Sequence, residues 1–98
     1  MGTRFFNINP KKFFKDPSAK LDYTFNWAEY LEDGETIDTQ TITVPNGITE
    51  DTTNANDTAV TVWLSGGTAG EDYDVVCRIT TSLGRIDERT MVIQVREM

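Results

Sequence analysis

The chain has 98 residues, with 16 acids against nine lysines and arginines, a formal charge of −7, one cysteine and no histidine. That length supports one small domain with a modest core, not a deep enzyme cleft closed by a lid. Without imidazole the commonest general base and metal ligand are gone, so serine- and cysteine-hydrolase arrangements lack their base. The acidic balance disfavours nucleic acid and anionic membranes as partners.

Residues 1–20 hold Arg4, Lys11, Lys12, Lys15 and Lys20 against Asp16, a net of +4; the remaining fifteen acids and four arginines make −11. Residues 1–12 read as an extended N-terminal arm ahead of a domain over 13–98. The arm holds Phe5, Phe6 and Ile8, then breaks at Asn9-Pro10. Its candidate interface residues are Arg4, Phe5, Phe6, Ile8, Lys11 and Lys12: cations suited to carboxylates and apolar groups suited to a neighbour's pocket. Residues 11–15 fit a short strand with Phe13 or Phe14 facing inward, and 16–18 a turn.

Residues 21–27 alternate apolar and polar side chains, a half-buried strand that sends Trp27 to the core. Residues 28–31 predict one helical turn, with Leu31 over an end of the core, and Asp33-Gly34 a reversal. Residues 36–44 are β-branched and extended. Their apolar members Ile37, Ile42 and Val44 do not share one parity, which predicts a bulge near 38–40 or a switch between sheets. Residues 48–53 are polar enough for an edge strand only, and 54–57 read as a loop.

In the strand over 58–64, Val60, Val62 and Leu64 share one face. Trp63 lies on the other, as an interface anchor or packed under the arm. After the glycine-rich turn, Tyr73, Val75, Cys77 and Ile79 fall on one face of the next strand. Tyr73 stands just after the corner, where immunoglobulin-type sandwiches place a tyrosine whose hydroxyl bonds back to backbone. Cys77 has no disulfide partner in the chain and reads as a small buried hydrophobe. A hairpin at 82–85 leads to a final strand over 86–96 with Met91, Ile93 and Val95 inward. The pattern predicts an all-β, immunoglobulin-like antiparallel β-sandwich of about seven strands, a small barrel being the rival.

The acids beside turns (Glu32, Asp33 and Glu35; Glu50 and Asp51; Glu71, Asp72 and Asp74) read as solvated surface rather than acid–base pairs. For calcium, which takes six to eight oxygens, the candidates are Asn54, Asn56 and Asp57 with Glu50 or Asp51, and Glu71 with Asp72. Neither set matches an established ligand spacing. The glycines at 66–70 are followed by no helix and no Lys-Ser/Thr, so they make a turn and not a phosphate cradle. No catalytic, cofactor-binding or metal residue is assigned. No apolar run is long enough to span a bilayer, and Phe13-Phe14 followed at once by Lys15-Asp16-Pro17 does not read as a secretory leader.

Residues 15–27 (KDPSAKLDYTFNW), 63–70 (WLSGGTAG) and 77–85 (CRITTSLGR), in that order, resemble the small immunoglobulin-like structural proteins of tailed bacteriophages, of the fiber–tail adaptor or head–tail accessory type. The resemblance covers about residues 11–96. It implies a non-enzymatic virion structural protein without cofactor, assembled in the bacterial host cytoplasm. It further implies a fiber–tail adaptor present in several copies, whose partners are other virion proteins of the tail, neck or fiber and copies of itself, with neither nucleic acid nor membrane. Within the domain Trp27, Leu64, Tyr73, Val75, Cys77 and Ile79 are expected to be structural. The alternative from another class is a recognition module for carbohydrate or a cell-surface protein, assisted by calcium.

Overall fold

In strands successive side chains point to opposite faces, so an alternating run buries one face only. The computed structural model, which describes residues 4–6 and 11–97, follows this rule closely. Its strands are β1 (Arg4–Phe6), β2 (Lys11–Lys15), β3 (Leu21–Asn26), β4 (Ile37–Thr43), β5 (Ile48–Ala55), β6 (Ala59–Gly66), β7 (Asp72–Thr81) and β8 (Ile86–Val95). They form two four-stranded sheets, ordered β1-β3-β6-β5 and β2-β8-β7-β4. The chain passes between the sheets after β1, β2, β3, β4 and β6, as a sandwich requires and a single closed barrel does not. β3, β6 and β5 beside β4, β7 and β8 follow the B-E-D and C-F-G strand orders of immunoglobulin-type sandwiches.

Two pairings are parallel: β1 with β3, in the register Arg4↔Tyr23 to Phe6↔Phe25, and β2 with β8, from Lys11↔Met91 to Lys15↔Val95. Within the segment read as an arm, Arg4–Phe6 therefore lies along the first sheet as a short edge strand, added to the seven strands of residues 11–97. Ile8 lies outside the described residues.

The core is built from the inward parity of each strand. β3 contributes Tyr23 and Phe25, with Trp27 following it; β6 contributes Val60, Val62 and Leu64; β7 contributes Tyr73, Val75, Cys77 and Ile79; β8 contributes Met91, Ile93 and Val95. Each large apolar side chain so buried stabilises by about 1.5–3 kcal/mol, against about 1–2 kcal/mol of backbone entropy per ordered residue. Burial pushes the Cys77 thiol up to about 12, so it stays protonated and packs as an apolar group.

The parity break in β4 is a bulge: pairing with β7 shifts between Ile37 and Thr39, which lets both Ile37 and Ile42 pack on the core. β5 has a second shift, between Glu50 and Thr52. It also runs on to Ala55, so the expected loop at 54–57 contracts to a turn. There Asn56 Oδ1 accepts the amides of Thr58 and Ala59, both at 2.9 Å. Residues 28–31 make the one helical turn, with the amides of Tyr30 and Leu31 donating to the Trp27 carbonyl at 2.9 and 3.1 Å.

Candidate protein interface

The β6–β7 corner fixes the two central strands of the sandwich relative to each other. The Tyr73 hydroxyl accepts the Thr68 amide at 2.9 Å, five residues upstream. Gly47 and Gly67, both at positive φ, lie against opposite sides of the Tyr73 ring. Gly70 N donates to Val95 O at 2.8 Å and Val95 N to Glu71 O at 3.0 Å, which ties the same corner to β8. Tyr73→Phe removes the hydroxyl and leaves the Thr68 amide without it; urea denaturation is expected to show a loss of about 1 kcal/mol.

At this end of the sandwich the sequence reading missed a buried cation. Lys15 is fully buried, and its ammonium donates to Gly66 O at 2.7 Å and to Asp16 O at 3.0 Å. Burial lowers its pKa, because water no longer solvates the charged form; Asp16 and Asp51 oppose that shift. Lys15 shares the inward parity of Phe13 on β2, which was the available signal. It closes the core and is not free for docking.

At the other end, Arg85 donates through both Nε and Nη2 to the buried Glu35 carboxylate, and through Nη2 to the Tyr30 carbonyl at 3.2 Å. Its guanidinium lies 4.4 Å from the Tyr30 ring centroid. The pair pins the loop after β3 to the β7–β8 hairpin. The Arg85 hydrogen bonds hold the Glu35 carboxyl down to about 2, from an ordinary 4.5. A carboxyl with a depressed folded-state pKa contributes its full stability above the ordinary value and loses it as the pH falls. Unfolding followed from pH 6 downward is therefore expected to show stability draining away between about 4.5 and about 2. Glu35→Gln is expected to flatten this part of the acid limb.

Trp63 sits on the outer face of the first sheet, half-buried, between Asp22 of β3 and Thr52 of β5. With Thr52 and Lys20 it lines a shallow open groove of about 210 Å³. Lys12 is exposed on the outer face of the second sheet, opposite Val92. The two are thus on opposite faces of the molecule and do not form one patch. The backbone places Arg4, Phe5 and Phe6 along the β1 edge and Lys11 at the start of β2. Among the described residues three large exposed apolar side chains were not singled out as surface: Phe14, with the Arg96 guanidinium 4.7 Å from its ring centroid, and Leu83 and Ile86 at the β7–β8 hairpin. Only solvent exposure separates these from core residues of like composition, and composition does not report it.

Among the described residues no group of three or more histidine, cysteine or acidic side chains is placed to hold a metal ion. Asn56 is engaged by its own turn, and the Glu50 carboxylate accepts the Thr53 hydroxyl. Among the described residues no helix is long and apolar enough to cross a membrane.

Strand order and inward parities define a two-sheet β-sandwich, consistent with the immunoglobulin type in its strand order and tyrosine corner, with an outward tryptophan and edge strands β1, β2, β4 and β5. Residues 15–94 match the family described as podophage GP4 fiber-tail adaptor protein gp77, and the chain belongs to that family. It is a structural component of the phage tail, an adaptor between fiber and tail, and hence a virion component. No curated protein matches the sequence.

Proposed function

We propose that the protein joins neighbouring tail proteins in several copies and acts mechanically, without catalysing a reaction. In this reading residues 1–12 work as an arm on the sandwich of residues 13–98. Arg4, Lys11 and Lys12 meet carboxylates of a neighbour while Phe5, Phe6 and Ile8 enter an apolar pocket, and Trp63 anchors a second contact from the opposite face. The partners are virion proteins and further copies of this chain, brought together in the host cytoplasm without nucleic acid or membrane. The observation that carries the reading is the family match across residues 15–94; the contrast between a +4 N-terminal segment and a −11 remainder supports the role of the arm. Burying two phenylalanines in a partner contributes about 1.5–3 kcal/mol apiece, enough to offset much of the cost of ordering a short segment.

Deleting residues 1–10 removes β1 and leaves β2 to β8. The truncated protein is expected to melt within a few degrees of the full chain and to be missing from purified particles. Normal incorporation, or a truncated protein that unfolds far more easily, sinks the reading.

A further inference from the structure

We infer that the β7–β8 hairpin is a preformed plug, which seats Leu83 and Ile86 in an apolar pocket rimmed by lysine or arginine on a virion protein of different sequence. The inference rests on the adaptor reading above and adds a contact to it. Leu83 is 64 % exposed and Ile86 56 %, the most exposed large apolar side chains among the described residues. Single apolar side chains at a surface are ordinary. These two stand together at one tip, on a turn held more firmly than a free loop apex requires.

The Thr81 amide donates to Arg85 O at 2.8 Å and the Gly84 amide to Thr81 O at 2.9 Å, which closes the turn with Gly84 at φ +85°. Thr81 is itself buried, and its Oγ1 accepts the amides of Leu83 and Arg85 at 3.3 and 3.2 Å. The loop after β3 grips the same turn. Ser82 N donates to Thr36 O at 2.8 Å, Thr36 N donates to Ser82 Oγ at 3.1 Å, and Arg85 binds Glu35. A tip fixed in this way has little freedom left to lose on docking. Each apolar side chain carried from water into a pocket then tightens binding by about tenfold or more.

The surroundings of the tip decide the sign of the pocket's rim. Glu32 and Asp33 are exposed on the gripping loop, and so is Asp57, whose carbonyl accepts the Ile37 amide at 2.9 Å. The nearby cations are engaged. Arg85 holds Glu35 and the Tyr30 carbonyl, Arg89 covers Trp27 and donates to Asn26 O, and Arg78 stands opposite Glu88 across the β7–β8 ladder. The tip is thus apolar with an acidic collar, and a partner has to offer the complement. A second copy of this chain does not. Its own tip has the same sign, and its Trp63 groove is shallow, with Asp22 opposite Trp63 and with Glu50 and Asp51 on β5. Its residues 1–12 have the right sign, but in the reading above they bring apolar side chains to a pocket and provide none.

The test uses phage that carry the full chain. With a benzophenone amino acid in place of Leu83, illumination of purified particles is expected to link this chain to another virion protein, at a segment with apolar residues beside lysine or arginine. The same group in place of Glu71, at the β6–β7 corner, is the control and is expected not to reach that segment. The double variant Leu83→Ser with Ile86→Thr is expected to melt as the wild type does, since both side chains are exposed, and to fall about tenfold or more in particles. Leu83→Met, which keeps an apolar tip, is expected to be incorporated normally. Glu32→Lys with Asp33→Lys is expected to fold and to be depleted from particles. A link from position 83 to a second copy, no link at all, or normal incorporation of either double variant overturns the inference. If the hairpin variants are incorporated normally while the residue 1–10 deletion is lost, this inference falls and the adaptor reading stands. If the hairpin variants are lost while that deletion assembles normally, the arm reading falls and the plug stands.

Discussion

Trp27→Ala is expected to remove about 3–5 kcal/mol of folding free energy, the range for truncating a large buried aromatic. The indole is fully buried and stacks on Phe25 at 5.9 Å between ring centroids. Its Nε1–H donates to Asp87 Oδ2 at 2.8 Å. The Arg89 guanidinium covers the ring at 4.8 Å and donates through Nη1 to Asn26 O at 2.6 Å. Asp87 and Arg89 share the inward parity of Met91 on β8, so two charged side chains close this end of the core over one aromatic. Alanine leaves a cavity and strips Asp87 of a donor. Against a total of about 5–15 kcal/mol for a domain, that is enough to leave much of the population unfolded at 37 °C. Trp27→Phe keeps most of the packing and is expected to cost about 1–3 kcal/mol, largely for the lost hydrogen bond to a charged acceptor. Urea denaturation of both variants separates packing from the polar contact. Equal losses for the two would show that the ring contributes little beyond its N–H.

The second large effect is expected at Gly67. Its φ is +99°, and a Cβ built there would stand 2.6 Å from Val95 Cγ2 and 3.5 Å from Tyr73 Cε2. Gly70, with φ +92°, meets nothing within 4 Å. Alanine at either position adopts an unfavourable left-handed backbone, at about 1–2 kcal/mol. Only at Gly67 is the strain joined by overpacking of the core, about 1–3 kcal/mol more. Gly67→Ala is therefore expected to cost clearly more than Gly70→Ala when both are measured by thermal or urea unfolding. Similar losses would mean that Val95 moves aside freely and that the corner is not tightly packed.

Most of the sandwich was legible because strands alternate. Tyr23, Phe25 and Trp27, or Tyr73, Val75, Cys77 and Ile79, share a parity, and all are buried. The β4 bulge was legible for the same reason, as a parity break among Ile37, Ile42 and Val44. The β5 bulge was not, because a strand that is polar on both faces has no parity to break. Lys15 was hidden in KKFFK, where charge argues outward and only its phase with Phe13 argues inward. Its carbonyl partner at Gly66 is 51 residues away. The Glu35–Arg85 pair, separated by 50 residues, meets only after the chain has crossed between sheets. The candidate interface was the least legible part. Composition marked Lys12 and Trp63 as unusual, but which face each occupies follows from pairings that no local pattern contains.

The parallel pairing of β2 with β8 bears on when the protein can fold. Lys11 to Lys15 take their place only beside Met91 to Val95, and Arg96 N then donates to Lys15 O at 2.9 Å. During synthesis the second strand must wait while every later strand is made, and Lys15 finds its lid only when the final one has left the ribosome. Topologies dominated by such distant pairings fold in about milliseconds to seconds. Subunits should therefore reach the growing particle as finished sandwiches, and a nonsense codon even a few residues before β8 should yield a chain whose β2 edge stays unpaired and prone to aggregate, not a shortened adaptor.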